Sequence, residues 1–141
     1  MAADLNPLIR MQKHSLEQKQ KFLAELYRQA DDYENQKKTM IETLEKERQS
    51  VSDMGVEMLS YFGPYEKSVE ARVEEIDAAM QTLNTRIEMA REDIRAAFAD
   101  LKKVEITQEN RDQDEQKAIN KKQSDDLDEI GLEVFRRKKV E

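Results

Sequence analysis

From Val69 to Val104 the chain places an apolar residue at every third and fourth position in turn. Val69, Ile76, Leu83, Ala90, Ala97 and Val104 form one line of this seven-residue repeat, and Val73, Met80, Ile87, Ile94 and Leu101 form the other, without an exception. Such spacing draws a narrow stripe along one side of a helix, and the stripe must be covered by a second helix. A weaker version of the pattern precedes it. Ile9, Leu16, Leu23, Ala30, Lys37, Leu44, Val51 and Met58 make one line, and Gln12, Lys19, Leu26, Tyr33, Met40, Glu47, Met54 and Tyr61 the other. Gln12 and Lys19 weaken its first section, while Lys37 and Glu47 are single polar interruptions of the sort that fix register at some cost in stability. Tyr33 reads as a packing residue.

Local punctuation turns the two stripes into two helices. Asn6-Pro7 reads as a helix start, because Asn caps well and proline lacks only an N–H that would be unpaired there. The strongest break is Ser60-Tyr61-Phe62-Gly63-Pro64-Tyr65, where glycine can end one helix and proline begin the next. Gly55 is a secondary weak point, and fraying or bending is expected between Gly55 and Pro64. The chain is therefore expected to be a single all-α domain over residues 1–141: a long antiparallel two-helix coiled-coil hairpin with a C-terminal helical overhang. Helix one would span about residues 7–61 and roughly 80 Å, the turn about 60–65, and helix two about 65–138 and roughly 110 Å. With that turn, residue i faces about residue 125 − i, which sets Leu23 near Lys102 and Leu44 near Gln81.

Past Val104 the stripe stops. Thr107–Asp126 contains only Ala118 and Ile119 as apolar residues, so it is expected to be helical but poorly packed. Apolar character returns at Leu127, Ile130, Leu132, Val134 and Phe135, beyond the reach of helix one. This end either wraps back onto Leu5, Leu8 and Ile9 or docks into a partner. The turn aromatics Tyr61, Phe62 and Tyr65 likewise either plug the end of the hairpin or form an exposed contact patch.

Composition narrows the classes. The chain is 39% charged and 38% hydrophobic, with three glycines, two prolines and 6% aromatics among 141 residues, a profile of coiled coils rather than loop-rich globular folds. Its sustained apolar repeat argues against disorder. Without cysteine there is no disulfide or thiolate chemistry, in agreement with a reducing compartment. No run approaches the roughly 20 apolar residues of a membrane span, and MAADLNPLIRMQKH lacks the basic start and apolar core of a secretion signal. A soluble, cytoplasmic protein is expected. A net charge of −7 opposes general nucleic-acid binding, and the one basic run, Arg136-Arg137-Lys138-Lys139, suits a helix C-terminus. His14 is solitary, so no metal site is expected. The glycines are isolated, which rules out a phosphate-cradling loop, and carboxylate pairs such as Glu74-Glu75 have nothing to perturb them. Neither an enzyme, nor a cofactor, nor a small-molecule substrate is expected.

The Asn6-Pro7-Leu8-Ile9-Arg10 start, the stretch SLEQKQKFLAELYRQ, the mid-chain hairpin and the ending KKQSDDLDEIGLEVFRRKK together resemble the FliJ family, the stalk-like soluble component of the bacterial flagellar type III export apparatus. The most specific part, Leu127-Asp128-Glu129-Ile130-Gly131-Leu132, is similar to the alphaproteobacterial branch. The resemblance implies a hairpin like the central shaft of rotary ATPases. Its implied partners are a hexameric export ATPase, the cytoplasmic domain of the export-gate protein and export chaperones, and its implied place is the cytoplasmic periphery of the inner membrane. It assigns entry into the ATPase ring to the free-end residues Leu8, Ile9, Arg10, Leu127, Ile130, Leu132, Val134, Phe135, Arg136 and Arg137. Tyr61, Phe62 and Tyr65 are candidate gate or chaperone contacts on expected exposure alone. The competing readings are a homodimeric coiled-coil scaffold with seams paired between chains, the equivalent injectisome stalk, and a holdase-type chaperone.

Overall fold

The computed structural model describes residues 4–140, which form an all-α, antiparallel two-helix hairpin: α1, Asn6–Met54, and α2, Val56–Val140. The Asp4 carboxylate accepts the Asn6 N–H at 3.0 Å, and the Ile9 N–H reaches the Leu5 carbonyl at 2.9 Å. Asp4 thus supplies the capping oxygen, and Pro7 occupies the first turn where its lack of an N–H costs nothing.

The turn is a correction to the sequence expectation. It is the single residue Gly55, whose φ of 108° is open to glycine and strained for any side chain. Helix one does not run to residue 61, and the segment 60–65 is not the turn. Gly63 and Pro64 lie inside α2. Proline there removes the N–H that would bond the Ser60 carbonyl, yet packing holds the helix through it. Continued backward by seven residues from Val69 and Val73, the seam of α2 passes through Phe62 and Glu66. Phe62 is buried against Leu44 and Val69, and a turn at 60–65 would remove it from that cluster.

The chain divides into two compact units, Ser15–Ala96 and Met1–His14 with Ala97–Glu141. The first contains the turn. Leu26, Leu83, Ile87 and Ala90 form one core cluster, flanked by Leu23, Ala30 and Tyr33. Leu44, Phe62 and Val69 form another, flanked by Met40, Val51 and Val73. Polar seam positions find partners across the pair. Lys37 meets Asp77 at 2.8 Å, Glu66 takes Arg48, which also bonds Glu45 on its own helix, and Glu47 accepts from the Tyr65 hydroxyl. The bonds to Asp77 and Glu66 stabilise the charged forms and hold Lys37 and Arg48 above their usual pKa. Hydrogen bonding to Glu47 raises the Tyr65 phenol likewise, with lesser help from desolvation.

These pairs set residue i opposite about residue 114 − i. Moving the turn forward by some six residues shifts every partner by about twice that. Leu44 therefore packs on Phe62 and Val69 rather than near Gln81, and Leu23 on the Leu83–Ala90 cluster rather than near Lys102.

In the second unit the Leu5 N–H donates to the Gln108 side chain at 2.8 Å, which fixes where α1 begins beside α2. Ile9 and Leu101 are buried there. From Asp112 to Lys139 every residue is exposed. The overhang therefore begins at about residue 112, earlier than a turn at 60–65 would place it.

The two helix-adjacent glycines should respond oppositely to substitution. Gly55→Ala forces a side chain into positive φ and is expected to destabilise by about 1–2 kcal/mol. Gly63→Ala adds a methyl to open space inside a helix and is expected to stabilise by about 0.5–1 kcal/mol. Urea midpoints of the two variants check this, and the reverse order would return the turn to Gly63.

Candidate partner-binding surfaces

Around Gly55, in the first unit, the two helices leave a tip of uncovered apolar side chains. Val56 is 83% exposed and Tyr61 76%, and Met54, Met58 and Leu59 are also exposed. The expected aromatic group divides here. Tyr61 projects outward, whereas Phe62 is 8% exposed and belongs to the core. Phe62 is therefore corrected from contact residue to packing residue. Tyr65 lies between these extremes, its ring 5.9 Å from that of Phe62 and its hydroxyl on Glu47. Sequence reasoning missed Met54, Val56, Met58 and Leu59 because it continued helix one through them. Gly55 beside Val56 was the available signal.

The second unit carries the other surface. Of the N-terminal candidates, Arg10 is exposed, Leu8 is half-buried and Ile9 is buried. Ile9 holds the helix pair together and offers little to a partner. On the overhang, Leu127 is 68% exposed, and Ile130, Leu132, Val134 and Phe135 are exposed with it. Among the described residues nothing folds back over them, and the end of α2 does not wrap onto Leu5, Leu8 and Ile9. Arg136 is exposed, Arg137 bonds Glu133 at 3.0 Å, and the Lys139 ammonium sits 5.6 Å from the centre of the Phe135 ring.

The overhang is not a simple continuation of the seam. Prolonged at its seven-residue period from Val104 and Gln108, the seam would pass through Ala118, Asp125 and Leu132 on one line and Glu115, Lys122, Glu129 and Arg136 on the other. Leu127, Ile130 and Val134 lie roughly 150° round the helix from that face, at about 100° per residue. The apolar stripe thus changes sides between the covered and uncovered parts of α2.

The model of the family described as Flagellar FliJ protein matches residues 1–140. The chain belongs to the FliJ family. No curated relative and no solved structure matches it. Membership makes this FliJ-family chain a component of the flagellar export apparatus and places it among non-enzymatic export proteins. Among the described residues no group of three or more His, Cys, Asp or Glu is placed to hold a metal, and no helix is long and apolar enough to cross a membrane. Surface depressions of this FliJ-family chain, such as one of about 490 Å³ lined by Asp32, Gln36, Met40 and Arg72, are open dents along the helices. Family membership implies protein interactions within the flagellar export apparatus.

Proposed function

We propose that this chain is a stalk-like adaptor of flagellar protein export, coupling the hexameric export ATPase to the export gate and to export chaperones. It would work in the cytoplasm, held at the inner membrane through those partners. The observation that carries this reading is the uncovered overhang of α2. A continuous helix with exposed Leu127, Ile130, Val134 and Phe135 and a basic end is built to enter a partner, because apolar side chains left bare on a helix mark an interface. The overhang, with Arg10 nearby in the same unit, is the ATPase-facing end. The tip formed by Met54, Val56, Met58, Leu59 and Tyr61 is the surface offered to the gate or to chaperones.

Co-purification of the full-length chain with the export ATPase and with the cytoplasmic domain of the gate protein tests this. Absence of both contacts would sink the proposal. The triple change Leu127→Ala/Ile130→Ala/Phe135→Ala is expected to leave helicity nearly unchanged and to weaken ATPase binding about tenfold or more, because exposed anchor residues carry interface energy rather than fold energy. If it melted the hairpin instead, the overhang would be structural.

A further inference from the structure

The second unit holds its length of α1 by little. Of residues 4–14 only Ile9 is buried, with Leu5, Leu8 and Gln12 half-buried. The first unit packs Leu23, Leu26, Ala30 and Tyr33 of α1 into one cluster and Met40, Leu44 and Val51 into another. It also contains the cross-helix pairs Lys37–Asp77 and Arg48–Glu66.

Gln12 works against the contact. Its amide oxygen is buried with no hydrogen-bond partner among the described residues. Leu5 opposite Gln108 sets Ile9 beside Val104 and Gln12 beside Leu101. Leu101 is 4% exposed and has no polar side-chain atom to offer. An oxygen buried without a partner forgoes the bond that water would give it, so parting the helices here regains a hydrogen bond while it loses apolar contact. What fastens the segment lies at its far end. The Leu5 N–H donates to the Gln108 amide oxygen at 2.8 Å, and the Gln108 amide nitrogen donates to Asp112 at 2.9 Å, which keeps that oxygen turned toward Leu5.

We propose that residues 4–14 form a strap that opens from α2 as a unit while residues 15–96 stay folded, with Gln108 as its latch and Gln12 as its built-in weakness. Sub-global opening of this kind belongs to the part of a structure with the fewest buried apolar contacts. Opening bares Leu101 and Val104, the last apolar residues of the α2 seam. The strap thereby sets how much of α2 stands free: from Asp112 onward when closed, and from about residue 97 onward when open. The opening does not depend on the export reading, although its use by a partner would.

Amide hydrogen exchange on the full-length chain, followed residue by residue by NMR, tests this without any other protein. Amides of residues 10–14 should exchange about 100-fold or more faster than those around Leu26. They should share one rate with amides of residues 101–108, because an uncovered stretch of single helix protects its amides poorly. Low urea should leave that shared rate nearly unchanged, since a local opening exposes little surface. Gln12→Leu should slow it about tenfold, because the orphaned oxygen is gone and apolar contact is gained. Gln108→Ala, which removes the latch, should quicken it about threefold or more. Amides around Leu26 should respond to neither change. Three outcomes overturn the proposal: residues 10–14 exchanging no faster than those around Leu26, a rate that rises smoothly toward Asn6 while residues 101–108 stay protected, or either variant leaving the shared rate where it was. The second of these is the ordinary fraying of a helix end.

Discussion

Leu26→Ala is expected to lower the stability of the hairpin by about 3 kcal/mol, a large share of what holds a domain of this size folded. Leu26 is 1% exposed and touches Leu83, Ile87 and Ala90. Truncation removes three heavy atoms from that contact and leaves a void that the neighbours fill only in part. Measured truncations of buried leucine vary about twofold with how far the site collapses, and a core only two helices thick collapses more readily than a globular one. The estimate therefore lies in the middle of the range. Urea unfolding followed by circular dichroism gives the value. Leu127→Ala is the control, since a leucine 68% exposed has little burial to lose and should shift stability by no more than about 0.5 kcal/mol. Equal losses from the two leucines would mean that Leu127 is covered in solution, either within the chain or by a second copy.

Ending the chain after Arg111 is expected to do the reverse: the melting temperature stays nearly unchanged while binding to the export ATPase falls by about 100-fold or more, as expected when several exposed anchors are lost together. The removed segment is helical, and its residues from Asp112 to Lys139 are exposed, so its deletion uncovers no core. Total ellipticity should fall in proportion to the helix removed, and the unfolding midpoint should not. Titration of the shortened and full chains into the ATPase reads the binding. A large drop in stability would show that the overhang supports the hairpin, and unchanged binding would move the ATPase contact elsewhere.

The seam of α2 was legible because its signal is additive. Eleven apolar positions in a fixed period outweigh any single local preference, and Ile76, Leu83, Ile87, Ala90 and Leu101 are all buried. The turn was misplaced because two local signals competed. Gly63-Pro64 is the stronger punctuation in isolation, and the apolar spacing of helix one appeared to continue through Met54, Met58 and Tyr61. Those residues are exposed on the tip. Burial of Phe62 decides the matter, and it was reachable from the sequence by extending the Val69 line back by seven residues. Glu66 hid that extension, since a carboxylate at a seam position looks like the end of a seam until Arg48 is seen to pair with it. The exposed overhang was readable, because nothing of helix one remains to cover it. Its change of face was equally present in the spacing of Leu127, Ile130 and Val134. The tip surface was not, because it follows from where the turn falls.

A connection of one residue leaves the two helices no slack. For α1 to slide along α2 by one repeat of the seam, the connection would have to take up about 10 Å, whereas adjacent α-carbons are only about 3.8 Å apart. The Lys37–Asp77 and Arg48–Glu66 pairs would also have to break together. Sliding to a neighbouring register, a motion by which two-stranded coiled coils can carry a signal along their length, is thereby closed to the unit that contains Gly55. A partner pulling on that unit can bend the pair or peel it open, but it cannot make it slip.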